Sequence, residues 1–119
     1  TIDMMTDGTE EREFLYAEDC CEALETLMEQ YSDFTSDDEL HITSGVSTSI
    51  LEIAQQIQLY FGGISKEVEI VPSSSKDEVQ KDARNIPSKY IHKWWKPKTS
   101  ITLGIGKVFE EMRKDYENI

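Results

Sequence analysis

The stretch "DGTEEREFLYAEDCCEAL", residues 7–24, sets one arginine among seven carboxylates. That residue, Arg12, is the only base in residues 1–39. A guanidinium stays charged at any working pH and meets a carboxylate or phosphate with two parallel hydrogen bonds. Two uses follow. Arg12 either makes an exposed ion pair with Glu10, Glu11 or Glu18, which contributes little, or it holds an anion that arrives from outside. The remaining reactive side chains form no chemical set. Cys20 and Cys21 are adjacent, and neighbouring cysteines rarely bridge because the geometry is strained. His41 and His92 lie far apart in sequence and in no ligand-spaced cluster, so no metal site is expected. No nucleophile and base can be paired by spacing.

Periodicity indicates the elements that must position these residues. A helix is expected from Asp19, with Asp19 as cap and Glu22 completing a capping box. Cys20, Ala23, Leu24, Leu27, Met28 and Tyr31 fall on one apolar stripe. After a polar loop, "ELHITS" (39–44) alternates as a strand. A second helix is expected from Ser49, with Ile50, Ile53, Ala54, Ile57, Tyr60 and Phe61 inward and Gly62-Gly63 at its end. "KEVEIVP" (66–72) reads as a strand with Val68 and Ile70 inward. Residues 73–89 read as a long polar loop. "YIHKWW" (90–95) is a short helix stopped by Pro97, with Trp94 and Trp95 packing it. The last helix follows "PKTS", with Ile101, Ile105, Val108, Phe109 and Met112 as its stripe. "TIDMMT" and "EFLY" read as brief strands around the "DGTEE" turn. The expected class is mixed α/β: a small sheet of short strands packed with three to four helices.

Composition limits the partners. The chain has 119 residues, enough for one domain, and a net charge of −12. That charge opposes nucleic acid and anionic membrane. It is unevenly spread, with 14 acids in residues 1–39 and near neutrality beyond. The acidic front reads as a solvated face or as a docking surface. No apolar run is long enough to span a bilayer. Two free thiols and no disulfide framework fit a cytoplasmic protein. The chain does not begin with Met, and a strand at Thr1 would be an edge without a neighbour. Both suggest a piece of something larger.

The run Asp7, Gly8, Thr9, Arg12, Glu13, Phe14, Tyr16, Ala17, Glu18, Asp19 resembles a signature of the extended short-chain dehydrogenase/reductase family. This family includes the NAD(P)-dependent nucleotide-sugar epimerases and dehydratases. In these enzymes a Gly-Asp-Gly turn leads to Arg-Asp-Phe and then to Tyr-Val-x-Asp. "HITSG" (41–45), "TSILEIAQQI" (48–57) and "WWKPKTSITLGI" (94–105) are similar to later landmarks, in the family's order. Glu13, Ala17, Thr43 and Trp94 depart from the pattern.

The resemblance implies that residues 1–119 are the C-terminal substrate-binding domain of such an enzyme, cut from an N-terminal Rossmann domain. It implies a nucleotide-sugar substrate, with Arg12 on the diphosphate and Arg84, in "KDARN", as a second diphosphate contact. Arg84 is otherwise a solvated loop charge. Tyr16 is a packing residue at a strand end or a nucleotide contact. NAD or NADP would serve the intact enzyme. The sequence has no Gly-rich phosphate loop opening a dinucleotide fold, and no tyrosine is followed four residues later by lysine. The fragment alone is therefore expected to bind no cofactor and to catalyse nothing. The competing expectation is a freestanding acidic α/β module that binds a basic protein.

Overall fold

The computed structural model describes residues 1–34, 39–76 and 88–117. Among these residues, seven strands and α-helices follow in order: β1 (Ile2–Asp3), β2 (Glu11–Arg12), α1 (Ala17–Gln30), β3 (Thr48–Ser49), α2 (Ile50–Gly62), β4 (Ile70–Val71) and α3 (Ile101–Glu117). Single 3-10 turns lie at Tyr31–Asp33 and Tyr90–Lys93. The class is mixed α/β. The strands form two separate pairs, β1 parallel to β4 and β2 antiparallel to β3. The first strand therefore has a neighbour in β4.

The chain folds around the start of α2. Ser49 caps this helix, its hydroxyl accepting from the Glu52 N–H at 3.1 Å. The turn before β2 supplies two more acceptors. Leu51 N–H donates to the Gly8 carbonyl and Ile50 N–H to the Glu10 carbonyl, each at 3.0 Å. Together these satisfy amides that a helix start leaves without internal partners. Gly8 sits at φ +80°, and an added Cβ would lie 2.9 Å from Leu51 Cβ. Glycine is needed there for both reasons.

Several local expectations give way to tertiary contacts. α1 starts two residues early, at Ala17, with Tyr16 as a cap residue that makes no side-chain cap bond. Asp19 is not the cap; it is 3% exposed and accepts from the Thr99 N–H at 2.9 Å. "EFLY" forms no strand, and β2 lies just before it. "ELHITS" is irregular, because side chains rather than a ladder hold it. His41 Nδ1 accepts from the Ser88 N–H at 2.8 Å, and His92 Nε2 bonds the Thr43 carbonyl at 2.9 Å. Of residues 66–72, only Ile70 and Val71 pair. Gly62 and Gly63 end α2 without a left-handed residue; Ser65 takes that conformation, at φ 61°.

The core has two parts. Ala23 of α1 packs with Ile91 and Trp95, joined by Leu15, Leu27 and Ile42. Between α2 and α3, Phe109 stacks on Tyr60 at 5.5 Å and meets the edge of Phe61 at 5.2 Å. Trp94 packs edge-on against Phe34 and Tyr90. Both tryptophans therefore pack as expected. Half of the α1 stripe does not: Leu24, Met28 and Tyr31 are exposed.

Candidate functional site

Arg12 is fixed by its strand. β2 pairs with β3 so that Arg12 faces Thr48 and Glu11 faces Ser49. The Arg12 guanidinium donates to the Glu11 carbonyl at 2.9 Å. The chain then turns through Phe14, Leu15 and Tyr16 into α1. Tyr16 packs against α3. An added Cβ on Gly104 would lie 3.5 Å from Tyr16 Cβ, and Lys107 Nζ lies 5.2 Å from the centre of the Tyr16 ring. Loss of hydration, followed by the carboxylates Glu18, Glu111 and Asp19, pushes the Tyr16 hydroxyl above its ordinary range. At neutral pH it is therefore a hydrogen-bond donor, not a phenolate base.

A cavity of about 860 Å³ opens beside this turn. Its walls are apolar: Phe14 and Tyr16 on one side, Phe61 of α2, and Ile105, Phe109 and Met112 of α3. Lys98, Thr99 and Thr48 add polar groups to the lining. Two contacts fix the wall that leads into α3. Asp19 holds the Thr99 amide, and Lys98 pairs with Glu22 at 3.0 Å. Both are reached from α1, so α1 positions the wall and Tyr16 together.

The expected site residues divide three ways. Tyr16 lines the cavity. Arg12 does not, but its strand partner Thr48 does. Arg84 lies outside the described residues. Sequence reasoning missed Lys98 and Lys107. The available signal for Lys107 was a pair of glycines inside a helical pattern, since Gly104 admits the Tyr16 ring that Lys107 covers. Gly106 admits the Tyr60 ring, whose hydroxyl donates to the Thr102 carbonyl at 3.0 Å. Both glycines are thus closed by aromatic side chains. Neither offers the open backbone that a dinucleotide pyrophosphate requires, so these residues do not fit NAD(P).

Comparison with known proteins adds the family context. The chain is 34% identical over 103 residues to GDP-L-fucose synthase of Sinorhizobium fredii (strain NBRC 101917 / NGR234), which covers 87% of this chain and 31% of that protein. The chain is homologous to GDP-L-fucose synthases. It is also 30% identical over 103 residues to putative GDP-L-fucose synthase 2 of Arabidopsis thaliana, with 87% of this chain and 30% of that protein covered. No family model matches the chain. The solved structure of DdhaC superimposes with a TM-score of 0.68 at 21% identity, over 96% of this chain and 33% of that one. This likeness establishes the fold. The chain spans about a third of the length of the proteins it matches.

Proposed function

We propose that this chain is the substrate-holding part of an NAD(P)-dependent nucleotide-sugar epimerase or reductase, acting on a GDP-sugar. The observation that carries the reading is the homology to GDP-L-fucose synthases over 87% of the chain; the turn through Phe14, Leu15 and Tyr16, which follows Arg12 and lines the cavity, supports it. Arg12 grips the diphosphate, and Arg84 is its second contact. A compact dianion requires such cations in a chain of net charge −12, because the surrounding acidic surface repels it. Tyr16 presents a ring face and a neutral hydroxyl to the nucleotide.

The apolar cavity walls do not suit a sugar. They suit an apolar surface of a second lobe, the N-terminal Rossmann domain, which would hold NAD or NADP and the proton-transfer groups. The dinucleotide supplies the hydride chemistry when bound. The residues present here bind and orient the substrate, and residues 1–119 alone turn over nothing. The chain acts in the cytoplasm.

The decisive experiment compares Arg12→Lys with the wild type in the intact enzyme. Lysine keeps the charge and loses the two-pronged geometry. GDP-sugar affinity is expected to fall by about tenfold, with NAD(P) affinity unchanged. Equal GDP-sugar affinities would remove Arg12 from the site. Turnover by residues 1–119 alone would overturn the assignment of the chemistry to another lobe.

A further inference from the structure

The exposed half of the α1 stripe is independent of the substrate reading. Leu24 is 49% exposed, Met28 78% and Tyr31 76%. They recur at the spacing that stacks side chains along one helix face. Cys21, also exposed, extends the row by one turn toward the helix start. On one side this row borders the half-buried Cys20 and Leu27, which packs on the core. On the other side lie Glu18, Glu25 and Glu29. All three glutamates are exposed, and none forms an ion pair among the described residues. Residues 17–30 contain no lysine, arginine or histidine.

At the C-terminal end of α1 the charges also run against the helix dipole, whereas Glu18 and Asp19 in the first turn complement it. The C-terminal end of a helix is electronegative and favours cations. α1 carries no base in its last turn, while Glu29 stands within it and Asp33 just beyond. An incoming cation gains from the glutamate ridge and from this end together.

We propose that the outer face of α1 is a docking surface for an amphipathic helix of a partner protein. Its apolar ridge packs on Leu24, Met28 and Tyr31, and lysine or arginine on its flank meets Glu18, Glu25 and Glu29. A second copy docking through the same face is a poor occupant, because its α1 brings the same row of glutamates, and residues 17–30 hold no base. The patch is small, which places the complex in the weak, transient class. The mode is helix packing on a helical ridge, with charge choosing the partner.

The test uses the full chain and a labelled synthetic helix of about 18 residues, long enough to hold helical structure. The helix has a leucine ridge and a lysine flank, and a control peptide carries glutamate in place of each lysine. Fluorescence polarisation is expected to show saturable binding of the lysine peptide, weakening with salt, and at least about tenfold weaker binding of the control. Met28→Ser, and separately Glu25→Lys with Glu29→Lys, should each weaken the lysine peptide by about tenfold without changing the circular dichroism. Equal binding of the two peptides, or a lysine peptide indifferent to Met28→Ser, would overturn the proposal. So would a concentration-dependent dimer of the chain that Met28→Ser abolishes, since that would give the face to a second copy.

Discussion

Single residues here do work that their types conceal. Asp19 sits where a helix cap is expected and instead spans 80 positions of sequence to hold the Thr99 amide. Removing one partner of a buried hydrogen bond leaves the other unsatisfied, at about 1–3 kcal/mol. Asp19→Ala should therefore lower the urea midpoint and loosen the wall that Thr99 forms, while Asp19→Asn, which keeps an acceptor oxygen, should cost less. A midpoint unchanged in Asp19→Ala would return the residue to a surface role. Asp7 gives a pH dependence. Its carboxylate accepts from the Thr9 hydroxyl at 2.7 Å and the Thr9 N–H at 3.0 Å. These bonds, with Lys76 nearby, hold its pKa below the ordinary value. A depressed carboxylate contributes stability that is complete above its unfolded pKa and is lost as pH falls through its folded pKa. The "DGT" turn should therefore weaken in acid, below about pH 4. Asp7→Asn should flatten that acid limb of the stability profile, and an identical acid limb in mutant and wild type would count against the sign.

At the scale of elements, the glycines of the helices separate by what lies over them. A Cβ on Gly106 would drive into the Tyr60 hydroxyl, whereas a Cβ on Gly62 meets nothing within 4 Å. Alanine in a helix gains about 1 kcal/mol over glycine. Gly62→Ala should raise the melting temperature slightly. Gly106→Ala should lower it, because displacing the Tyr60 ring from Phe109 costs about 1–3 kcal/mol. A parallel rise in both variants would mean that Tyr60 moves freely. The same contrast explains what was legible in sequence. The start of α2, expected near Ser49, was readable because the cap hydroxyl and the Glu52 N–H it accepts from lie three residues apart. α3 was readable because its apolar residues repeat at helical spacing. The strand expected at 39–44 failed because His41 and Thr43 bond to residues nearly fifty positions away, a pairing that no local pattern carries. The two-residue strands β2 and β3 failed as patterns because a ladder that short has no period to display. Arg12 stood out as an isolated charge, but its neighbour Thr48 became visible only through register.

For the whole molecule, the question is what the cavity means for a chain with so slight a core. The body measures 50 × 35 × 18 Å with a radius of gyration of 17.2 Å, whereas a compact domain of this length has about 13 Å. Among the described residues, Ile91 is the one large side chain fully buried. Truncating such a side chain costs about 2–5 kcal/mol, a large part of the about 5–15 kcal/mol available to a domain. Meanwhile Ile105, Val108 and Met112 line an apolar cavity open enough that Val108 and Met112 are each 44% exposed. Apolar surface left in water recruits apolar ligands in proportion to its area. The isolated chain should thus bind an anilinonaphthalene dye while its circular dichroism stays native. Ile105→Glu, which puts a carboxylate on the wall without touching the Ala23, Ile91 and Trp95 cluster, should suppress the dye signal. Undiminished dye binding in a folded Ile105→Glu variant would show that the dye senses another surface, with the exposed face of α1 the next to be tested by Met28→Ser.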